Sequence, residues 1–195
     1  ISACLVGSEM CIRDSAITMI KERRSVRKYK DEKVDRETMR EIVDIARWAP
    51  SWVNYQIARY TLVDDEEIIK EIAEHGVNGF VYNIDTLRTA KGVAVLSFVK
   101  GKSGTYDKEY ITSKGNSWEV FDAGIACQTF CLAAHAKGVG TCIMGVIDDK
   151  SIAKIVNLPE DETVAALIVY GYEDGEHAAP NKRKDVDEIM RFVDR

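Results

Sequence analysis

The 195 residues are 46% hydrophobic and carry a net charge of -5, which suffices for one well-filled domain and argues against a general nucleic-acid binder, whose surface must be basic to displace counterions from phosphates. No run of about 20 apolar residues occurs, so no membrane span is expected. The cysteines Cys4, Cys11, Cys127, Cys131 and Cys142 form no CxxC pair, which points away from a disulfide framework and from a zinc site. Residues 1–14 lack a basic start, a sustained apolar run and a small-residue cleavage site. They are read as a non-native or disordered leader rather than a secretion signal, the domain as 15–195 and the location as cytoplasmic.

Ser15 can cap a first helix with Ile17, Met19 and Ile20 turned inward, delivering the basic stretch Arg23-Arg24-Ser25-Val26-Arg27-Lys28 into an extended segment. Asp35 caps a second helix, with Val34 and Met39 as a hydrophobic staple and Ile42, Val43, Ile45 and Ala46 at helical spacing, ending by Pro50. The loop Ser51 to Gln56 mixes aromatics with amides and leads into a strand near 59–63. Asp64 and Asp65 open an amphipathic helix closed by Gly76; residues 77–90 give no firm assignment. Residues 93–99 form an unbroken apolar run, as expected of a strand buried on both faces. Residues 100–117 are a long polar excursion, and loops of that length inside a compact domain are usually functional.

From Val120 to Val139 almost every position is apolar or small, which predicts a helix buried all round and a stop at Gly138 and Gly140. Thr141 to Gly145 is short and uncharged. Asp148 caps a short helix, residues 163–172 form a second apolar strand, and a basic triplet, Lys182-Arg183-Lys184, precedes a last helix with Val186, Ile189, Met190 and Val193. The expected class is α+β, a mostly antiparallel sheet between helices.

No GxSxG, P-loop, HExxH or dinucleotide-binding glycine fingerprint occurs, and His75, His135 and His177 lie far apart in sequence without an evident carboxylate partner. No catalytic side chain and no metal ligand is therefore assigned. What is present suits an anionic, partly planar ligand. If extended, Arg23, Ser25 and Arg27 fall on one side and offer two guanidinium forks and a hydroxyl. Asn54 and Gln56 alternate likewise and could bond the edge of a heterocycle, with Trp52 or Tyr55 near its face.

The order IKERRSVRKY, RWAPSWVNYQ, DAGIACQTFCLAAHAKGVGTCIMGVID and LPEDETVAALIVYGYED, followed by a basic triplet, resembles the FMN-dependent nitroreductase family. That resemblance implies a homodimer with FMN at the subunit interface, reduced by NADH or NADPH and reoxidised by a nitroaromatic, a quinone or a similar small acceptor in a ping-pong hydride transfer. By position it assigns Arg23, Arg24 and Ser25 to the phosphate and ribityl chain, Arg27 to the pyrimidine edge, and Arg183 to the phosphate. Ser51, Asn54 and Gln56 are assigned to the isoalloxazine, and Ile143, Met144 and Gly145 to the backbone beside it. Ile57 and Ala58 stand where the family often has Pro and Trp, and Asp185 where it often has Pro. Alternatives within the same architecture are reductive dehalogenation and flavin breakdown; a non-enzymatic flavin-binding role is a further one.

Overall fold

A computed structural model describes residues 16–193; Ser15 and the leader proposed for 1–14 lie outside that range. Helix α1 (16–22) and an extended stretch precede α2 (Arg36–Ala46), a 3₁₀ turn (Trp52–Asn54), β1 (Ala58–Val63), α3 (Glu66–His75), α4 (Val81–Thr89) and β2 (Gly92–Val99). A small hairpin, β3 (Thr105–Tyr106) and β4 (Glu109–Tyr110), leads to α5 (Ser117–Ala136), β5 (Gly140–Met144), α6 (Asp149–Ile155), β6 (Glu162–Gly171) and α7 (Val186–Ile189). The four long strands form one antiparallel sheet in the order β1-β2-β6-β5.

Alternation along the two central strands builds two cores. Ala94, Leu96 and Phe98 of β2 with Ile168 and Tyr170 of β6 face α2 and α5, meeting Met39, Ile42, Phe130 and Ala134. Val93 and Val95 with Leu167 and Val169 face α3, α4 and α6, meeting Ile69, Ile72, Leu87 and Ile152. The unbroken apolar runs follow from this, since both sheet faces are covered. The Asp35 cap accepts from Thr38 N, with Val34 and Met39 buried on either side of it, and Asp65 caps α3 through Glu67 N and Ile68 N. At the end of α5, Gly138 adopts φ +73. Val139 N bonds Ala134 O at 2.9 Å and Gly138 N bonds His135 O at 3.0 Å, a Schellman stop that needs glycine at the left-handed position.

Several expectations are corrected. Ile17 and Ile20 of α1 are exposed, as is Ile45 of α2. The helix α5 is not buried all round within one chain, because Val120 (61% exposed), Phe121 (58%), Gly124 and Gln128 form an open stripe. The unassigned stretch contains α4, and the last helix is a four-residue turn, capped by Asp185 and Glu188.

Candidate functional site

The segment after α1 lies along the edge strand β5. Val26 N bonds Thr141 O at 2.9 Å, and Ser25 pairs with Thr141 in a parallel bridge. Lys30 N bonds Tyr172 O at 2.9 Å and Asp174 N bonds Lys28 O at 3.0 Å, so the same segment also holds the residues that follow β6. Val26 and Tyr29 are its buried anchors. Glycine makes the approach possible: a Cβ on Gly140 would stand 2.7 Å from Val26 Cγ2, and one on Gly171 would stand 2.9 Å from Tyr29 Cδ1.

With Val26 turned in, Ser25 and Arg27 turn out, as alternation requires. Arg27 is exposed two residues beyond that single bridge. The Arg27 charge acts on the buried Cys142 thiol, opposing the rise caused by burial. Ile143 and Gly145 are exposed there and Met144 is buried. Arg23 is half-buried in a cleft of about 200 Å³ shared with Arg24, Thr141, His135, Glu173 and His177. Arg24 is tied to carbonyl oxygens, its Nε donating to Ala178 O at 3.1 Å and its Nη1 to Lys21 O at 2.5 Å and Arg23 O at 3.0 Å. Neither Arg23, Arg24 nor Arg27 pairs with a carboxylate among the described residues. Arg23, Arg24, Ser25, Arg27 and 143–145 thus share one edge of the sheet. Arg183 lies farther along the chain segment that passes Arg24, exposed, with Nη1 donating to Asn181 O at 3.3 Å.

Ser51, Asn54 and Gln56 form a separate group. The expected strand-like alternation of Asn54 and Gln56 is corrected: Val53, Asn54 and Gln56 adopt φ 45, 56 and 49. Each such residue stores about 1–3 kcal/mol of strain and persists only where its surroundings enforce it. The enforcing bonds are present. Ser51 Oγ accepts from Gln56 N at 2.8 Å, and Asp122 Oδ2 accepts from Trp52 N at 2.9 Å and from Ser103 Oγ at 2.5 Å. The Trp52 ring packs on Trp118 at 4.9 Å. The result exposes Val53, Asn54, Tyr55 and Gln56 together beside a cleft of about 280 Å³ lined by Ser51, Gln56, Asp122 and Ala126.

The two groups sit at opposite ends of α5. Asp122 lines one cleft and His135 the other, and at 1.5 Å rise per residue they are roughly 20 Å apart along the helix. Sequence reasoning missed the buried carboxylates Asp122 and Glu119; Glu119 Oε1 accepts from Gly101 N at 2.6 Å and Tyr110 Oη at 3.1 Å. Acidic residues in so apolar a stretch were the available signal. It also missed a histidine partner, since His177 Nδ1 lies 2.7 Å from Glu173 Oε2.

This fold belongs to a known class. Residues 20–172 match the nitroreductase family, and the chain belongs to it. An FMN-dependent nitroreductase from Clostridium difficile R20291 superposes with a TM-score of 0.72 at 29% identity, over 90% of this chain and 98% of its own. The NAD(P)H FMN reductase of Bacillus subtilis is 30% identical over 82% of this chain and 66% of its own length. The iodotyrosine deiodinase of Thermotoga neapolitana is 25% identical over 80% and 87%. Among the described residues no helix is long and apolar enough to cross a membrane.

Proposed function

We propose that this chain is an FMN-dependent NAD(P)H oxidoreductase that reduces nitroaromatic, quinone or similar small acceptors and works as a homodimer. One observation carries the reading above the others: Arg23, Ser25 and Arg27 lie beside β5, and among the described residues no carboxylate pairs with either arginine, Glu173 in the same cleft being held by His177. A terminal phosphate dianion and an electron-accepting ring suit such an edge, because charged hydrogen bonds to guanidinium are strong and bidentate.

Arg23 would hold the phosphate with Arg24 and Arg183, and Ser25 the sugar-alcohol chain. Arg27, whose charge is felt at Cys142, would set positive charge where negative charge develops, at no reorganisation cost. Exposed Ile143 and the bare backbone of Gly145 offer an apolar floor with free peptide groups. Asn54 and Gln56 stand too far along α5 to reach the same ring from the same chain, so a second copy would supply them. The chemistry that FMN brings when bound is hydride acceptance and donation; no side chain is needed as acid or base.

Purified protein should be yellow and release FMN on denaturation. Because donor and acceptor would use one cleft in turn, rates against NADH or NADPH at several quinone concentrations should give parallel double-reciprocal lines. Release of FAD would reject the cofactor, and intersecting lines would require a ternary complex instead.

A second reading, reductive dehalogenation, is favoured by the β3–β4 hairpin, where Tyr106 is 68% exposed. Beside it a cleft of about 380 Å³ holds Arg59, Lys102 and Lys108. Iodide release from iodotyrosine exceeding nitro reduction in catalytic efficiency would select it.

A further inference from the structure

His177, in the segment after β6, has an acceptor at each ring nitrogen. Glu173 Oε2 lies 2.7 Å from Nδ1, and the carbonyl oxygen of Glu22 lies 2.8 Å from Nε2. A neutral imidazole has one N–H and can satisfy one of these; the imidazolium donates to both. The contacts agree with that state, since the Glu173 carboxylate and then the Glu22 carbonyl hold His177 above the ordinary histidine range. His135, at the end of α5 with its ring 6.3 Å away, is pushed the opposite way by burial and by the His177 charge. The other charges facing the pair are Arg23, Arg24 and the Glu22 carboxylate, all at the end of α1. One residue beyond His177, the carbonyl of Ala178 receives Arg24 Nε at 3.1 Å.

We propose that His177 is a protonated clasp, a positioning residue that fastens the segment after β6 onto the end of α1 and so fixes Arg23 and Arg24 for an anionic phosphate. The identity of that anion rests on the FMN reading; the clasp does not. Proton and phosphate are then linked. His177 gains partners in the clasped state, so its contribution is complete below the ordinary histidine value of about 6.5 and is lost as the pH rises through the clasped value. Glu173 does not oppose the site, because its charge is spent on His177.

The test is the FMN dissociation constant of the apoprotein, read by flavin fluorescence between about pH 5.5 and 9 for wild type and His177→Gln. The phosphate itself ionises near pH 6, by analogy with a phosphorylated side chain, but equally for both proteins, so the ratio isolates His177. Wild type should bind about tenfold tighter at the acid end, and the advantage should vanish at the alkaline end; a ratio independent of pH overturns the proposal. Glu173→Ala separates a clasp from simple attraction. Removing a negative charge beside a phosphate site should tighten binding if His177 acts only through its charge, and that result also overturns the proposal, whereas loss of the clasp weakens binding. In the apoprotein, the His177 ring protons followed by NMR should titrate above 6.5, and lower in Glu173→Ala. An ordinary titration in wild type overturns the clasp. A raised titration with no FMN binding at any pH keeps the clasp and removes the FMN reading instead.

Discussion

Asp122 is buried in α5, and its Oδ2 accepts from Trp52 N and Ser103 Oγ, so a single carboxylate ties the turn at 51–56 and the base of the β3–β4 hairpin to one helix. Hydrogen bonds to a charged group are worth about 1.5–3 kcal/mol, the same scale as the strain of each left-handed residue in the turn. Asp122→Ala should therefore lower Tm by several degrees, at roughly 2–4 °C per kcal/mol for a chain of this size. Amide exchange at 51–56 should rise ahead of the core strands; unchanged exchange there would mean that Ser51 and Trp118 hold the turn without it. At this scale the sequence was legible for the basic residues, since Arg23, Ser25 and Arg27 needed only alternation to be grouped. It misled for Asn54 and Gln56. A turn with φ 45 at a valine carries none of the glycine signals by which left-handed backbone is recognised. Glu173 and His177 are four apart, a spacing that brings side chains together on a helix, but they lie in irregular chain where that rule has no force.

Among the elements, the segment from Arg23 to Lys30 depends most on its neighbours, because it has no ladder of its own and rests on two glycines. Gly140→Ala would place a Cβ 2.7 Å from Val26 Cγ2 and 2.9 Å from Val26 Cβ, and the Cβ of a β-branched residue cannot swing away. The segment must shift, at a cost of about 1–3 kcal/mol, taking Ser25 and Arg27 with it. FMN affinity should fall about tenfold or more while the melting of β2 and β6 changes little; unchanged affinity would show that the segment tolerates displacement. Elements whose apolar pattern matched their burial were readable, β2 and β6 foremost. Helix α4 was not. Its buried positions include Asn83 and Thr86, with Asn83 Nδ2 donating to Val146 O at 3.0 Å, and it starts at Phe80 without a side-chain cap. Hydrophobic periodicity cannot report a helix that buries amides.

For the whole molecule, the proposed homodimer would cover the open stripe on α5 and bring the two separated residue groups together. Gly124 tests it within one substitution, because a Cβ there meets nothing within 4 Å in the single chain. Gly124→Glu should leave the fold intact, even raising local helix propensity by up to about 1 kcal/mol, yet bury an unpaired charge if this face meets its twin. Sedimentation should show a folded monomer that has lost FMN; a dimer of normal stability would move the interface elsewhere. Composition alone could not assign this face. An all-round apolar helix looks the same whether its fourth side is covered by its own chain or by another.

The stretch laid over Gly140–Met144 also bears on how the sheet ends. This strand lies at the end of the sheet order and contains no charged residue, so uncovered it would present free peptide groups on an uncharged ribbon, a template to which other chains can add. Val26 N already occupies Thr141 O, and the guanidinium groups of Arg23 and Arg27 flank that contact with like charge. The residues assigned to gripping an anion would therefore double as gatekeepers, like charge at a strand edge discouraging edge-to-edge growth wherever the anion is absent.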